Sequence, residues 1–199
     1  MSFPLVAFTG FAIASAFTPG PNNIMLAAAS ASYGVRRVMP MLLGIQFGFG
    51  FMVAAVGFGL AGPLTQVPAL QNGLRWIGLV WLLWLAWKIA TAPVAETNVA
   101  SRPALGFVGA MLIQLLNPKA WLLCVAVATS WIAPDSPLTP QVVMVSTVFF
   151  VIGLPASALW VAIGLGAAKI LDTPRRMRWF NLAMGVLLAA SVLPLALGR

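Results

Sequence analysis

Six apolar runs take up most of this chain, and no other feature limits its fold as much. They cover residues 4–31, 38–61, 74–90, 104–132, 142–168 and 179–197. A helix needs about 20 apolar residues to cross ~30 Å of hydrocarbon. Only 7% of the 199 residues are charged and 61% are hydrophobic, whereas a soluble domain carries roughly 25% charge. So little charge cannot coat a surface that faces water. The expected fold is therefore an all-α membrane protein of six transmembrane helices. No Lys or Arg precedes the first run, so it reads as a retained span and not as a cleavable signal.

The charges sort by connection. Arg36 and Arg37 lie between runs one and two, Lys88 and Arg102 (with Glu96) between three and four, and Lys169, Arg175, Arg176 and Arg178 (with Asp172) between five and six. With six spans these connections share one face, and they hold eight of the eleven basic residues. Arg75, Asp135 and Arg199 fall on the other face, and Lys119 falls inside a run. Basic loops stay on the cytoplasmic side, so both termini are expected to face outward. A net charge of +8 would suggest nucleic acid in a polar protein, but here it is a topology signal. The polar stretch 92–103 reads as a cytoplasmic linker between a first three-helix repeat, 1–91, and a second, 104–199. Three is odd, so the second repeat is inverted, an arrangement that recurs in secondary transporters.

Two runs are interrupted. In the first, Thr18-Pro19-Gly20-Pro21-Asn22-Asn23 places two prolines around a glycine. Proline has no amide hydrogen, so Pro19 frees the carbonyl of Ser15, and Pro21 that of Phe17. Asn22 and Asn23 are expected to cap the half-helix that follows. In the fourth run, Asn117-Pro118-Lys119 offers a favoured N-cap followed by a favoured first residue. Pro19 and Pro118 are 99 residues apart, so helices 1 and 4 are expected to be broken at corresponding places. Each break follows about 14 residues of its run, roughly 20 Å of helix, which puts both deep in the bilayer. Freed backbone groups persist there only when buried in protein or lining a wet cavity. Half-helix N-termini suit a carboxylate. Single prolines such as Pro155 read as simple kinks.

Lys119 follows the second break, and a mid-membrane lysine costs at least ~2.5 kcal/mol. Glu96, Asp135 and Asp172 all lie in connections, so no span offers it a carboxylate. A carboxylate on a transported solute would fill that role. The lysine is equally open to carrying a coupling proton, or to reaching water along its stem. Gln46, Gln114, Asn22, Asn23 and Asn117 would hold an amino group by neutral hydrogen bonds, or lock helices together. Gly44 and Gly48 have the spacing that lets helix backbones approach. The eight tryptophans read as interface anchors or packing residues.

Histidine is absent and Cys124 is the single cysteine. That excludes an internal disulfide, metal sites built on His and Cys, and electron transfer through paired cysteines. Neither catalytic residues nor a cofactor are expected, and divalent ions would lack anionic ligands in the spans.

The two motifs, Thr18-Pro19-Gly20-Pro21-Asn22 and Asn117-Pro118-Lys119, resemble those of the LysE/RhtB family of amino-acid exporters. Length, six spans and the mid-chain linker fit along the whole chain. Trp84-Leu85-Ala86-Trp87-Lys88-Ile89-Ala90-Thr91 and Asn22-Asn23-Ile24 look like the branch that exports cysteine and O-acetylserine. The resemblance implies efflux of small neutral amino acids across the inner (plasma) membrane by proton-coupled antiport. The partners it implies are a small amino-acid substrate, protons and the lipid bilayer, with no nucleic acid; a homodimer is one assembly it allows. The lysine-exporting branch carries an acidic residue just after the Asn-Pro motif, whereas this chain reads Ala120-Trp121-Leu122-Leu123. That departure argues against a cationic substrate. The residues leave open an alternative, a passive channel or a membrane-complex subunit without coupled transport.

Overall fold

The structure is a computed structural model that describes residues 3–60, 68–92, 105–133, 135–171 and 173–196. Glu96, Arg102, Asp172, Arg199 and the expected linker beyond residue 92 lie outside the described residues. Every regular element among the described residues is helical. In chain order these are α1 (Leu5–Phe17), α2 (Pro21–Tyr33) and α3 (Val35–Ala55), which widens into a final turn, Val56–Leu60. There follow α4 (Pro68–Ala90), α5 (Phe107–Leu112) with a tighter turn at Ile113–Leu116, α6 (Pro118–Ser130), α7 (Leu138–Ile170) and α8 (Pro174–Ala196).

Among the described residues, two helices are long and apolar enough to cross a membrane: Val35–Gly59 and Leu138–Ile170. α5 and α6 together have the length and apolarity of a span, but are bent by 70° at the break between them, the shape of a broken span or of a re-entrant loop. The chain is thus a multi-pass membrane protein. The first run divides into two helices of 13 residues each, about 20 Å apiece, and neither crosses the hydrocarbon alone. Pro155, by contrast, lies within an uninterrupted α7.

α3 and α7 pack on each other at the centre. α1 and α2 lie against α7, while α5 and α6 lie against α3; α4 and α8 pair on the outside, touching α2 and α6. Exchanging α1–α4 for α5–α8 turns the α1–α7 contact into α5–α3, α2–α7 into α6–α3 and α2–α8 into α6–α4. The same exchange leaves α3–α7 and α4–α8 unchanged, but the match is uneven: α2–α7 is far more extensive than α6–α3, and α2–α3 has no counterpart of similar extent. Lipid is as apolar as leucine, so these seams depend on close packing and not on the hydrophobic effect. Gly44 and Gly48 make the α3–α5 seam. A Cβ at Gly48 would lie 2.7 Å from the carbonyl oxygen of Met111, and one at Gly44 would run into that of Phe107.

Two apolar clusters fill the interior at different depths. One joins Phe8 of α1, Met52 and Val53 of α3, Cys124 and Val127 of α6, and Phe149 of α7. The other joins Leu26 of α2, Val38 and Leu42 of α3, Ile113 of the turn after α5, and Val161 of α7. Along α3 and α7 the second cluster lies nearer Arg36, Arg37 and Lys169, and the first lies farther from them.

Candidate functional site

The first break runs from Thr18 to Gly20. Both residues that precede a proline are extended, Thr18 at φ −62°, ψ 134° and Gly20 at φ −169°, ψ 175°. A proline ring disfavours helical geometry in the residue before it, so two prolines in close succession open a gap where one would bend. The carbonyls at the end of α1 are then held by side chains from beyond the break. Asn23 Nδ2 donates to Ala16 O at 2.9 Å and to Thr18 O at 3.0 Å. Lys119 Nζ, from α6, donates to Thr18 O at 3.2 Å and to Ser15 O at 3.4 Å. The Thr18 hydroxyl turns back to Ala14 O. Ser15 O, which Pro19 deprives of an amide, thus finds an ammonium.

The asparagines do not cap α2. Its N-cap is Gly20, without any side-chain cap, because Pro21 takes the first helical position and leaves Asn22 and Asn23 inside the first turn. The amides of Asn22 and Asn23 find no acceptor among the described residues. At the second break Asn117 does cap α6, its Oδ1 accepting from the amide of Lys119 at 3.1 Å, with Pro118 at the first position. The carbonyl of Gln114 accepts from the amide of Asn117 at 3.1 Å, and the Trp121 indole donates to Leu115 O at 2.9 Å. The equivalent prolines are therefore Pro21 and Pro118, each first in its helix; Pro19 belongs to the gap.

The two breaks meet. Asn22 Nδ2 donates to Gln114 Oε1 at 2.8 Å, and Asn22 Oδ1 accepts from Gln114 Nε2 at 3.2 Å and Asn117 Nδ2 at 3.1 Å. Gln114 is fully buried and Asn117 is 4% exposed. This ring of amides ties α2 to the junction of α5 and α6. Beside it lies a cavity of about 80 Å³ lined by Gly20, Asn22, Asn23, Asn117, Lys119 and, across from them, Gln46. Lys119 is the one charged residue in that lining. The cavity sits about nine residues along α3 from Arg37, roughly 14 Å and near half of a bilayer's hydrocarbon.

Gln46, from α3, donates through Nε2 to Gly153 O at 2.9 Å and Ser157 Oγ at 2.6 Å on α7. It is 6% exposed, and its Oε1 receives no hydrogen bond from a described residue. The cavity thus gathers Gly20, Pro21, Asn22, Asn23, Gln46, Asn117 and Lys119. Gln114 acts through the amide ring, Thr18 and Pro19 are exposed at the edge, and Pro118 starts α6. Sequence reasoning missed the wall from α7 (Phe149, Gly153, Ser157) and Phe49 of α3, whose ring meets Phe149 edge-on at 5.3 Å. The signal available was Gly153 and Ser157, two small residues four apart on a long apolar helix.

The LysE type translocator model matches residues 13–197. The chain is 34% identical over 161 residues to a cysteine/O-acetylserine efflux protein of Salmonella typhimurium, covering 80% of this chain and 82% of that one. It is 32% identical to the protein of the same description in Escherichia coli K12, with the same coverage. No solved structure matches it. A family match over nearly the whole length, and relatives covered across four fifths of theirs, lead to one conclusion: the chain belongs to the LysE type translocator family.

Proposed function

We propose that this protein exports small amino acids with uncharged side chains, O-acetylserine and cysteine among them, from the cytoplasm across the inner membrane. The observation that carries this reading is the site itself. A half-helix N-terminus with two unmatched amides, an ammonium and a buried amide oxygen face one small cavity near mid-membrane. The α-carboxylate would sit at the N-terminus of α2, where amides and helix dipole favour an anion, within reach of Lys119. The α-ammonium would meet Gln46 Oε1. No carboxylate lines the cavity, so a cationic side chain would find no counter-charge, and Phe49 with Phe149 favour a small apolar one. The relatives, described as cysteine/O-acetylserine efflux proteins, agree with that chemistry.

The helices are read as six spans in two inverted repeats, 1–91 and 104–199, with both termini outside. The contact pattern that partly survives exchange of the halves supports this, and so do the exposed Arg36, Arg37, Lys88, Lys169, Arg175, Arg176 and Arg178 at helix ends that six spans would bring to one face. Transport is proton-coupled antiport, with Lys119 the titratable group at the site. Efflux from cells preloaded with a panel of labelled amino acids tests the substrate class. Uptake into proteoliposomes under an imposed pH gradient tests the coupling. Flux that ignores the gradient would make the protein a passive channel, and no flux of any amino acid would end the export reading.

A further inference from the structure

Gly20 raises a question that its backbone does not answer. At φ −169°, ψ 175° it is extended, a conformation open to any residue. Space explains the glycine instead. A Cβ at Gly20 would lie 3.0 Å from both Cδ and Nζ of Lys119. The lysine stem crosses the bare backbone of Gly20 and ends on Ser15 O and Thr18 O. A cation at a helix C-terminus is favourable, so the first turn of α6 holds the last turn of α1.

Besides Lys119, Asn23 of α2 holds that end of α1, at Ala16 O and Thr18 O. Its connection to α2 is three residues long and non-helical. Its packing is mainly on α7, through Phe8, whose ring lies 5.5 Å from Phe149 and 5.1 Å from Trp131. These rings fill the interior between the cavity and the end of the molecule away from the basic connections. The same ammonium lines the cavity at the open N-terminus of α2.

We propose that Lys119 is a latch that positions α1, that Gly20 is the track it crosses, and that a substrate carboxylate releases it by competing for the ammonium. The identity of the substrate rests on the export reading above; the hold of Lys119 on α1 does not. With a carboxylate at α2, the ammonium leaves Ser15 O and Thr18 O. α1 then keeps Asn23 on Ala16 O and Thr18 O but loses its tie to α6, and the aromatic packing around Phe8 loosens. Occupancy of the cavity is thereby linked to opening on the side opposite the basic connections.

The test follows the burial of α1. Ala12 is 0% exposed beneath that packing, and Cys124, 1% exposed in the same cluster, is replaced by serine, so the thiol introduced by Ala12→Cys reports opening. The full-length chain in liposomes is treated with a membrane-impermeant maleimide. Labelling is expected to be slow without ligand and severalfold faster with O-acetyl-L-serine. With Lys119→Met added it is fast in the absence of ligand and no longer responds to it, whereas Lys119→Arg, which keeps the charge, restores slow labelling. Gly20→Ala, which crowds the lysine without removing it, gives an intermediate rate and serves if Lys119→Met fails to fold. Slow labelling in both Lys119→Met and Gly20→Ala overturns the latch. Fast labelling in Lys119→Met with a wild type that ignores O-acetylserine keeps the latch and strikes the substrate proposed above instead.

Discussion

The two breaks differ more than their shared prolines suggest. At the second, two residues next to the break close it: Asn117 caps α6 and its amide reaches Gln114 O, and Trp121 covers Leu115 O. At the first, three residues leave α2 uncapped, and the carbonyls of α1 depend on Asn23 and on a lysine from another helix. A break satisfied by its own residues is a fixed corner. A break satisfied by groups from elsewhere comes undone when those groups find a better partner. Depth and proline content do not decide which kind a break is; the source of its hydrogen bonds does.

Substitutions at four positions would sharpen or break that comparison. Lys119→Met should have the largest effect, lowering export at least about tenfold, since a hydrogen bond to a charged group is worth ~1.5–3 kcal/mol and 1.4 kcal/mol is a factor of ten. Efflux assays with matched membrane levels check it, and undiminished export would make the first break as self-sufficient as the second. Gly20→Ser should come next. It offers α2 a capping hydroxyl and sets a Cβ against Lys119. Export should fall severalfold while the melting temperature in detergent holds or rises; a fall in both would show that the openness of α2 has no part in transport. Asn23→Ala removes the donor to Ala16 O and Thr18 O and should cost ~1–3 kcal/mol of stability, read as a lower melting temperature. Asn117→Ala should cost about 1 kcal/mol and Asn117→Ser only a fraction of that, because serine keeps the cap. Equal losses for the two would show that the contact of Asn117 with Asn22, and not the cap, holds the second corner.

Much of this was legible in the sequence where the cause is local. Proline and glycine chemistry placed both breaks, and the N-cap at Asn117 followed from residue type. The uninterrupted α7 agrees with reading Pro155 as no more than a kink. The spacing of Gly44 and Gly48, a weak pattern alone, turned out to be a helix seam. What stayed hidden needed tertiary contact. Asn22 and Gln114 are 92 residues apart in sequence, and nothing in either residue names the other. The partners of Lys119 are backbone carbonyls, which every residue carries, so a search for carboxylates could not find them. The correspondence of the breaks was shifted from Pro21 to Pro19 because composition shows a double proline without showing which one starts the helix.

Asn22 and Lys119 each sit second in their half-helix, one neutral and one charged. If the halves alternate as the export reading requires, a conformation that keeps the ammonium on its carbonyls differs in energy from one that does not, and the empty protein would lean toward the first.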